Sequence, residues 1–98
     1  MIRHTVAFRL RHAAGSPEEA AFLDAAVAEL TPIPGVERFE VLRQTGSQSN
    51  YRHSLSMEFA DAATYSAYND HPAHQGFVQG RWIPEVEEFL ELDFEAYA

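Results

Sequence analysis

The chain has 98 residues, of which 46% are hydrophobic and 22% charged, a composition typical of a folded soluble domain. Seven Lys and Arg against fifteen Asp and Glu give a net charge of −8, which disfavours binding to nucleic acid or to anionic membranes. The absence of cysteine excludes disulfides, thiolate metal sites and a cysteine nucleophile. Because the sequence shows neither a signal-peptide pattern nor an apolar run long enough to span a membrane, we expect one cytoplasmic domain over residues 1–98.

The first half of the chain predicts a strand, a helix and a second strand. Residues Ile2 to Leu10 alternate strictly, with the even-numbered positions facing inward. The segment Ser16 to Glu19 is typical of a helix start, with Ser16 as the cap and Glu19 completing a capping box. This helix is expected to bury a stripe on one face, made of Leu23, Val27 and Leu30 with Ala20 and Ala26 beside them. Two prolines then end it, and Val36 to Gln44 predicts the second strand.

The second half predicts a strand, two short helices and a closing strand. Tyr51 to Phe59 alternates clearly, with the odd-numbered positions facing inward. A short helix follows, capped by Asp61 and running to about Asn69. A further helical turn or two runs through Phe77 towards Gly80. Val86 to Tyr97 alternates apolar with acidic residues and predicts the last strand.

The order βαββαβ predicts an α+β, ferredoxin-like subunit, with a four-stranded antiparallel sheet and helices on one face. Two modest helices cannot cover all of five large aromatic residues: Phe39, Tyr51, Trp82, Phe89 and Tyr97. Small domains often bury surplus apolar surface by oligomerising, so we expect a homodimer whose sheets pack face to face. The acidic run from Glu85 to Glu95 is interpreted as a solvated face that discourages edge pairing.

Two histidines, His4 and His53, fall on the inward faces of predicted strands. A buried imidazole needs hydrogen-bond partners, so each histidine is either a satisfied core residue or part of a polar pocket. Taken singly, the core interpretation is the commoner one. Two inward histidines on different strands favour a shared cavity.

The segment from Tyr68 to Phe77 concentrates residues suited to acid–base chemistry. Pro72 fits the first position of a helix, which makes His71 the cap and places His74 in the first turn. The positive end of the helix dipole disfavours an imidazolium there, and a neutral histidine is what a general base requires. Because Tyr68 lies one turn before the bend, we expect its hydroxyl to approach His74. The alternative is structural, with Tyr68 and Phe77 in the core and the histidines closing a helix junction.

A metal site is the weaker interpretation of the histidines. His71 and His74 are three residues apart and can share a helix face, to which His4 or His53 would add a ligand. No carboxylate has matching ligand spacing, so we predict neither a metal nor a cofactor. The chain also has no P-loop, GxGxxG motif or nucleophile elbow.

Several segments together resemble the stress-responsive dimeric α/β-barrel family. They are the opening strand, the third strand from Tyr51-Arg52-His53 to Glu58-Phe59, Asp93 in the last strand, and His71-Pro72-Ala73-His74 followed by Gly76-Phe77. The resemblance spans nearly the whole chain. It implies a ferredoxin-like subunit, two sheets pairing into a dimeric barrel, and a cavity between each sheet and its helices.

The resemblance also implies a chemistry. The family includes olivetolic acid cyclase, a plant enzyme that closes a linear poly-β-keto thioester by aldol condensation without a cofactor. Its catalytic histidine and tyrosine fall where His74 and Tyr68 stand, and its pocket histidines where His4 and His53 stand. We assign His4, His53 and Phe77 to the ligand pocket. Asn69 and Asp70 are polar where that cyclase has apolar residues, and a carboxylate there favours the imidazolium form of a neighbouring histidine.

Three functions stay open at this point. The first is a cofactor-free cyclase or lyase for a small apolar or aromatic ligand, with His74 as base and Tyr68 as hydrogen-bond donor. The second is a non-catalytic, stress-associated dimer that binds a ligand or uses these residues as a polar core. The third is a ferredoxin-like monooxygenase of the antibiotic-biosynthesis type, which rests on fold analogy alone.

Overall fold

A computed structural model describes residues 1–98 and contains the elements in the predicted order. The strands are β1 (Ile2–Leu10), β2 (Glu37–Arg43), β3 (His53–Phe59) and β4 (Val86–Phe94). The helices are α1 (Pro17–Leu30), α2 (Ala62–Asp70), α3 (Pro72–Phe77) and the short α4 (Ile83–Glu85), with a π-helical segment at Val78–Trp82. None of these helices is long and apolar enough to cross a membrane.

The four strands form one antiparallel sheet in the order β2-β3-β1-β4. β1 and β3 alternate as predicted, because the even-numbered residues of β1 and the odd-numbered residues of β3 are buried on the same face. The helices cover this inner face and leave the other one bare. The α+β, ferredoxin-like architecture predicted from the sequence is confirmed.

Helix α1 begins as predicted, but the face that it buries differs from the predicted one by a rotation about the helix axis. The Ser16 hydroxyl accepts a hydrogen bond from the Glu19 N–H, while the Glu19 carboxylate accepts one from the Gly15 N–H. The buried positions are Phe22, Ala26 and Leu30, whereas Val27 is 47% exposed. The predicted stripe was therefore wrong at Val27. Burial of the large Phe22 ring against Phe8, Phe77 and Trp82 sets the rotation of the helix.

The helical stretch that begins at Pro72 continues past the predicted end at Gly80. The N–H of Ile83 donates to the Val78 carbonyl five residues earlier, which is the pattern of a π-helix. Gly80 does not adopt the left-handed conformation that would stop the helix there. The extension carries Trp82 and Ile83 to the wall of the cavity described below.

The bare face of the sheet carries apolar residues beside the ion pairs Arg3–Glu58 and Arg9–Glu88, but most of these apolar residues differ from the expected aromatic set. Phe39 and Trp82 pack against the core, Phe89 contacts Trp82, and Tyr97 is exposed beyond the end of β4. Only Tyr51 reaches the bare face, where its hydroxyl donates to Glu88. The bare face instead carries four residues that are 43% to 52% exposed: Leu42, Leu90, Leu92 and Phe94.

The acidic run is solvated as expected at Glu87, Glu88, Glu91 and Glu95, but the expectation was wrong at Glu85. The Glu85 side chain is 15% exposed and bonds to His12 and Arg81. Glu91 and Asp93 lie opposite Val6 and His4 on β1, so the register turns both carboxylates towards the inner face.

Candidate functional site

A cavity of about 320 Å³ lies between the sheet and the helical segments that follow β3. Most of its wall is apolar. Four of the predicted site residues line it: His4, Tyr68, His74 and Phe77. The structure therefore brings together the pair expected to perform chemistry and two of the three residues assigned to the pocket.

His74 is held in one tautomer by the backbone. Its Nδ1 lies 3.1 Å from the carbonyl oxygen of Asn69, and because a carbonyl only accepts, Nδ1 carries the proton. Nε2 is then the unprotonated nitrogen. Burial lowers the pKa of His74, and this outweighs the opposing effects of the Asn69 hydrogen bond and the Glu91 carboxylate. The ring is therefore neutral near pH 7, as a general base must be.

Tyr68 packs directly against this base. It is 2% exposed, and its ring centroid lies 4.5 Å from that of His74. Burial and, after it, the charge of Glu91 raise the pKa of Tyr68, so its hydroxyl stays protonated. The Tyr65 hydroxyl, in contrast, is hydrogen-bonded to His4 and Asp93. Tyr68 is therefore the tyrosine whose hydroxyl is free to donate to a ligand in the cavity.

His4 belongs to a network that the sequence analysis did not predict. Its Nδ1 lies 2.6 Å from Asp93 Oδ1 and 2.8 Å from the Tyr65 hydroxyl, which in turn donates to Asp93 Oδ2 over 3.0 Å. Burial, followed by the hydrogen bond to Asp93, raises the pKa of Tyr65. Asp93 and Tyr65 together fix the His4 ring in the cavity wall. The spacing of Tyr65 and Tyr68 on one helix was a signal that both face the sheet.

The carboxylate that acts on His74 is Glu91 and not Asp70. Asp70 is the last residue of α2; its side chain is exposed and does not line the cavity. Glu91 lines the cavity directly. The carboxylate that favours the imidazolium form of His74 is therefore Glu91, and burial of the imidazole outweighs its effect on the pKa.

His53 lies outside this cavity, contrary to its assignment to the ligand pocket. It pairs with Phe8 in the sheet, whereas His4 pairs with Met57. Its ring stacks on Phe8 at 5.9 Å, its Nε2 is buried without a hydrogen-bond partner, and burial lowers its pKa. His53 lines a separate polar cleft together with Arg43 and Arg52.

One group of side chains has the composition of a metal site. His4, Glu91 and Asp93 each place a ligand atom within 4.8 Å of the others. In this structure Asp93 is bonded to His4 and Tyr65, so a metal would have to displace those bonds. His71 instead caps α3, with its Nδ1 accepting from the Ala73 N–H, and does not share a ligand set with His74.

Comparison with solved structures supports the fold and the family together. A dabb family protein with a ferredoxin-like fold from Mesorhizobium loti is 52% identical, with a TM-score of 0.97 over 99% of this chain and 97% of that one. A dimeric ferredoxin-like protein of unknown function from Thermobifida fusca is 20% identical, with a TM-score of 0.81 over 97% and 90% of the two chains. The second likeness shows the fold alone.

One further solved neighbour is an enzyme. Hydroxynitrile lyase from Passiflora edulis is 14% identical, with a TM-score of 0.84 over 99% of this chain and 94% of that one. A search of curated proteins gave no match. The model of the stress responsive A/B barrel domain matches residues 2–96. This chain is therefore a member of the stress responsive A/B barrel domain family.

Proposed function

We propose that the protein is a cofactor-free acid–base catalyst of the cyclase or lyase type, acting on a small apolar or aromatic ligand. His74 is the base and Tyr68 is the hydrogen-bond donor. The observation that carries the proposal is the hydrogen bond from His74 Nδ1 to the Asn69 carbonyl, which leaves Nε2 unprotonated in a ring that packs against Tyr68 in the same cavity.

In an aldol closure, His74 Nε2 takes a proton from a methylene between two carbonyl groups. The enolate carbon then bonds to a second carbonyl carbon, whose oxygen becomes an alkoxide. Tyr68 donates a hydrogen bond to that oxygen, which takes the proton back from His74. The balance needs no oxidant or reductant.

In a cyanohydrin cleavage, the same two groups suffice. His74 takes the hydroxyl proton, the carbonyl forms as the carbon–carbon bond breaks, and cyanide leaves with the electron pair and accepts the proton from His74. Tyr68 stabilises the negative charge on the oxygen. The likeness to a hydroxynitrile lyase supports a test of this reaction, although at 14% identity it is a likeness of fold.

The cavity has the size and the wall of a small-molecule site. Its volume of about 320 Å³ is at the lower end of the range of roughly 300–1,000 Å³ typical of such pockets. Phe77, Trp82 and Phe89 give it aromatic walls. A single-ring ligand fits this description better than a long chain.

The proposal is tested by turnover of two probe substrates. Cleavage of mandelonitrile is followed by the appearance of benzaldehyde, and closure of a linear poly-β-keto thioester by chromatography of the product. We expect turnover of at least one of them above the rate in buffer. Binding of both probes without turnover would contradict catalysis and favour the non-catalytic, ligand-binding dimer.

We also propose that the protein is a homodimer that buries the bare face of its sheet. Four exposed apolar side chains share that face, with small residues of β1 and β3 between them. Solved neighbours of the same fold are dimeric. Packing of two such faces would bury apolar surface that a monomer leaves in water.

Leu92→Asp is expected to convert the dimer to a monomer, because it places a charge on the apolar face. Light scattering coupled to size-exclusion chromatography measures the mass. Val27→Asp is the matched control, since Val27 is 47% and Leu92 46% exposed, but Val27 lies on α1. A dimer that survives Leu92→Asp and dissociates with Val27→Asp would place the interface on the helices instead.

A further inference from the structure

We propose that the cavity takes a ligand with an ammonium group beside an aromatic ring, and that Glu91 binds the charged end. This inference rests on the proposed function, because it names the class of ligand for the same site. It follows from a carboxylate without a protein partner in a wall that is otherwise mainly aromatic and aliphatic.

β4 turns two acids towards the inner face, and only one of them is satisfied. Asp93 is bonded to His4 and accepts from Tyr65. Glu91, two residues earlier, lies opposite the buried Val6 and makes neither an ion pair nor a hydrogen bond. The acids that precede them on the strand pair with Arg9. A ligand without a hydrogen-bond donor that covered Glu91 would remove water from the carboxylate and leave its charge uncompensated, whereas an ammonium group would both donate to it and neutralise it.

The neighbouring side chains also suit a cation. Phe77, Trp82 and Phe89 line the same cavity, and the rings of Trp82 and Phe89 pack edge to face with centroids 5.6 Å apart. Aromatic faces attract an ammonium group in addition to its ion pair. No Lys or Arg lines the cavity, so no permanently charged side chain competes for Glu91. The net charge of −8 favours the approach of a cation from solution.

The test compares two probes that share one ring and differ in charge, benzylamine and benzyl alcohol. Trp82 is the single tryptophan of the chain and lines the cavity, so its fluorescence reports binding, with ligand-observed NMR as the second readout. We expect benzylamine to bind about tenfold more tightly than benzyl alcohol, as for a charge-assisted hydrogen bond in a partly buried site.

Two variants distinguish the effect of the Glu91 carboxylate on ligand binding from the effect of the net charge of the protein. Glu91→Gln is expected to abolish the preference for benzylamine. Glu95→Gln removes the same charge beyond the end of β4 and outside the cavity, and is expected to keep the preference. Because Glu91 is exposed and unpaired, its replacement is not expected to impair folding.

The outcomes test the ammonium inference separately from the proposed small-ligand site. If both probes bind the wild-type protein equally, the ammonium assignment is wrong, while a site for small aromatic ligands remains. If the preference persists in Glu91→Gln, the cation is bound elsewhere and the assignment to Glu91 is overturned. If neither probe binds, the small-ligand site and the ammonium inference both fail.

Discussion

His74→Gln is expected to reduce turnover of any substrate that the protein accepts by about 10²–10⁴-fold, the usual contribution of a positioned general base. Glutamine keeps a donor for the Asn69 carbonyl but offers no basic nitrogen. Tyr68→Phe is expected to cost about 10²–10³-fold, because it removes one donor to the developing oxyanion. The initial rate under saturating substrate is the measurement for both variants.

The neighbouring histidine supplies the control for this prediction. His71→Asn removes an imidazole from the same motif, while asparagine keeps an acceptor for the Ala73 N–H at the helix cap. Its turnover is expected to stay at the wild-type level. If His74→Gln instead kept full turnover and lost about 1–3 kcal/mol of unfolding free energy, His74 would be a structural residue.

Phe22→Ala is expected to lower the free energy of unfolding by about 3–5 kcal/mol, the usual cost of removing a large buried ring. Phe22 is 0% exposed and contacts the rings of Phe8, Phe77 and Trp82. Its loss opens a cavity where α1, β1 and the end of α3 meet. Urea unfolding at one fixed protein concentration measures the change, since the stability of a dimer depends on concentration.

Val27→Ala is the matched change on the same helix. Val27 is 47% exposed, and its truncation is expected to cost no more than about 0.5 kcal/mol, as for surface positions in general. The sequence pattern alone favours the opposite order, because it places Val27 in the apolar stripe. A larger cost for Val27 than for Phe22 would mean that α1 is rotated differently.

The elements of the fold were predictable where the signal is local. The alternation in β1 and β3 has a period of two and depends only on neighbouring residues, as does the capping of α1 by Ser16. The rotation of α1 was not predictable in this way. Its many alanines make two faces nearly equally apolar, and the choice depends on which large ring the rest of the core accommodates.

The same distinction between local and long-range signals applies to the residues of the candidate site. Tyr68 and His74 are close in sequence and were found from their motif, whereas the partners of His4 depend on the register between the first and last strands. His53 was misplaced for the same reason. It pairs with Phe8, four residues along β1 from His4, which is about 13 Å along an extended strand. Inward direction alone does not bring two residues of a sheet together.

The central claim is that His74 is a neutral base with its proton on Nδ1, and NMR of ¹⁵N-histidine-labelled protein tests it most directly. The His74 signals are assigned from their loss in His74→Gln, and the ring is titrated with pH. We predict a protonated Nδ1, an unprotonated Nε2 at neutral pH, and a pKa below the ordinary histidine value, because burial disfavours the charged ring. A His74 that is protonated on both nitrogens at neutral pH, or on Nε2 alone, would contradict the claim.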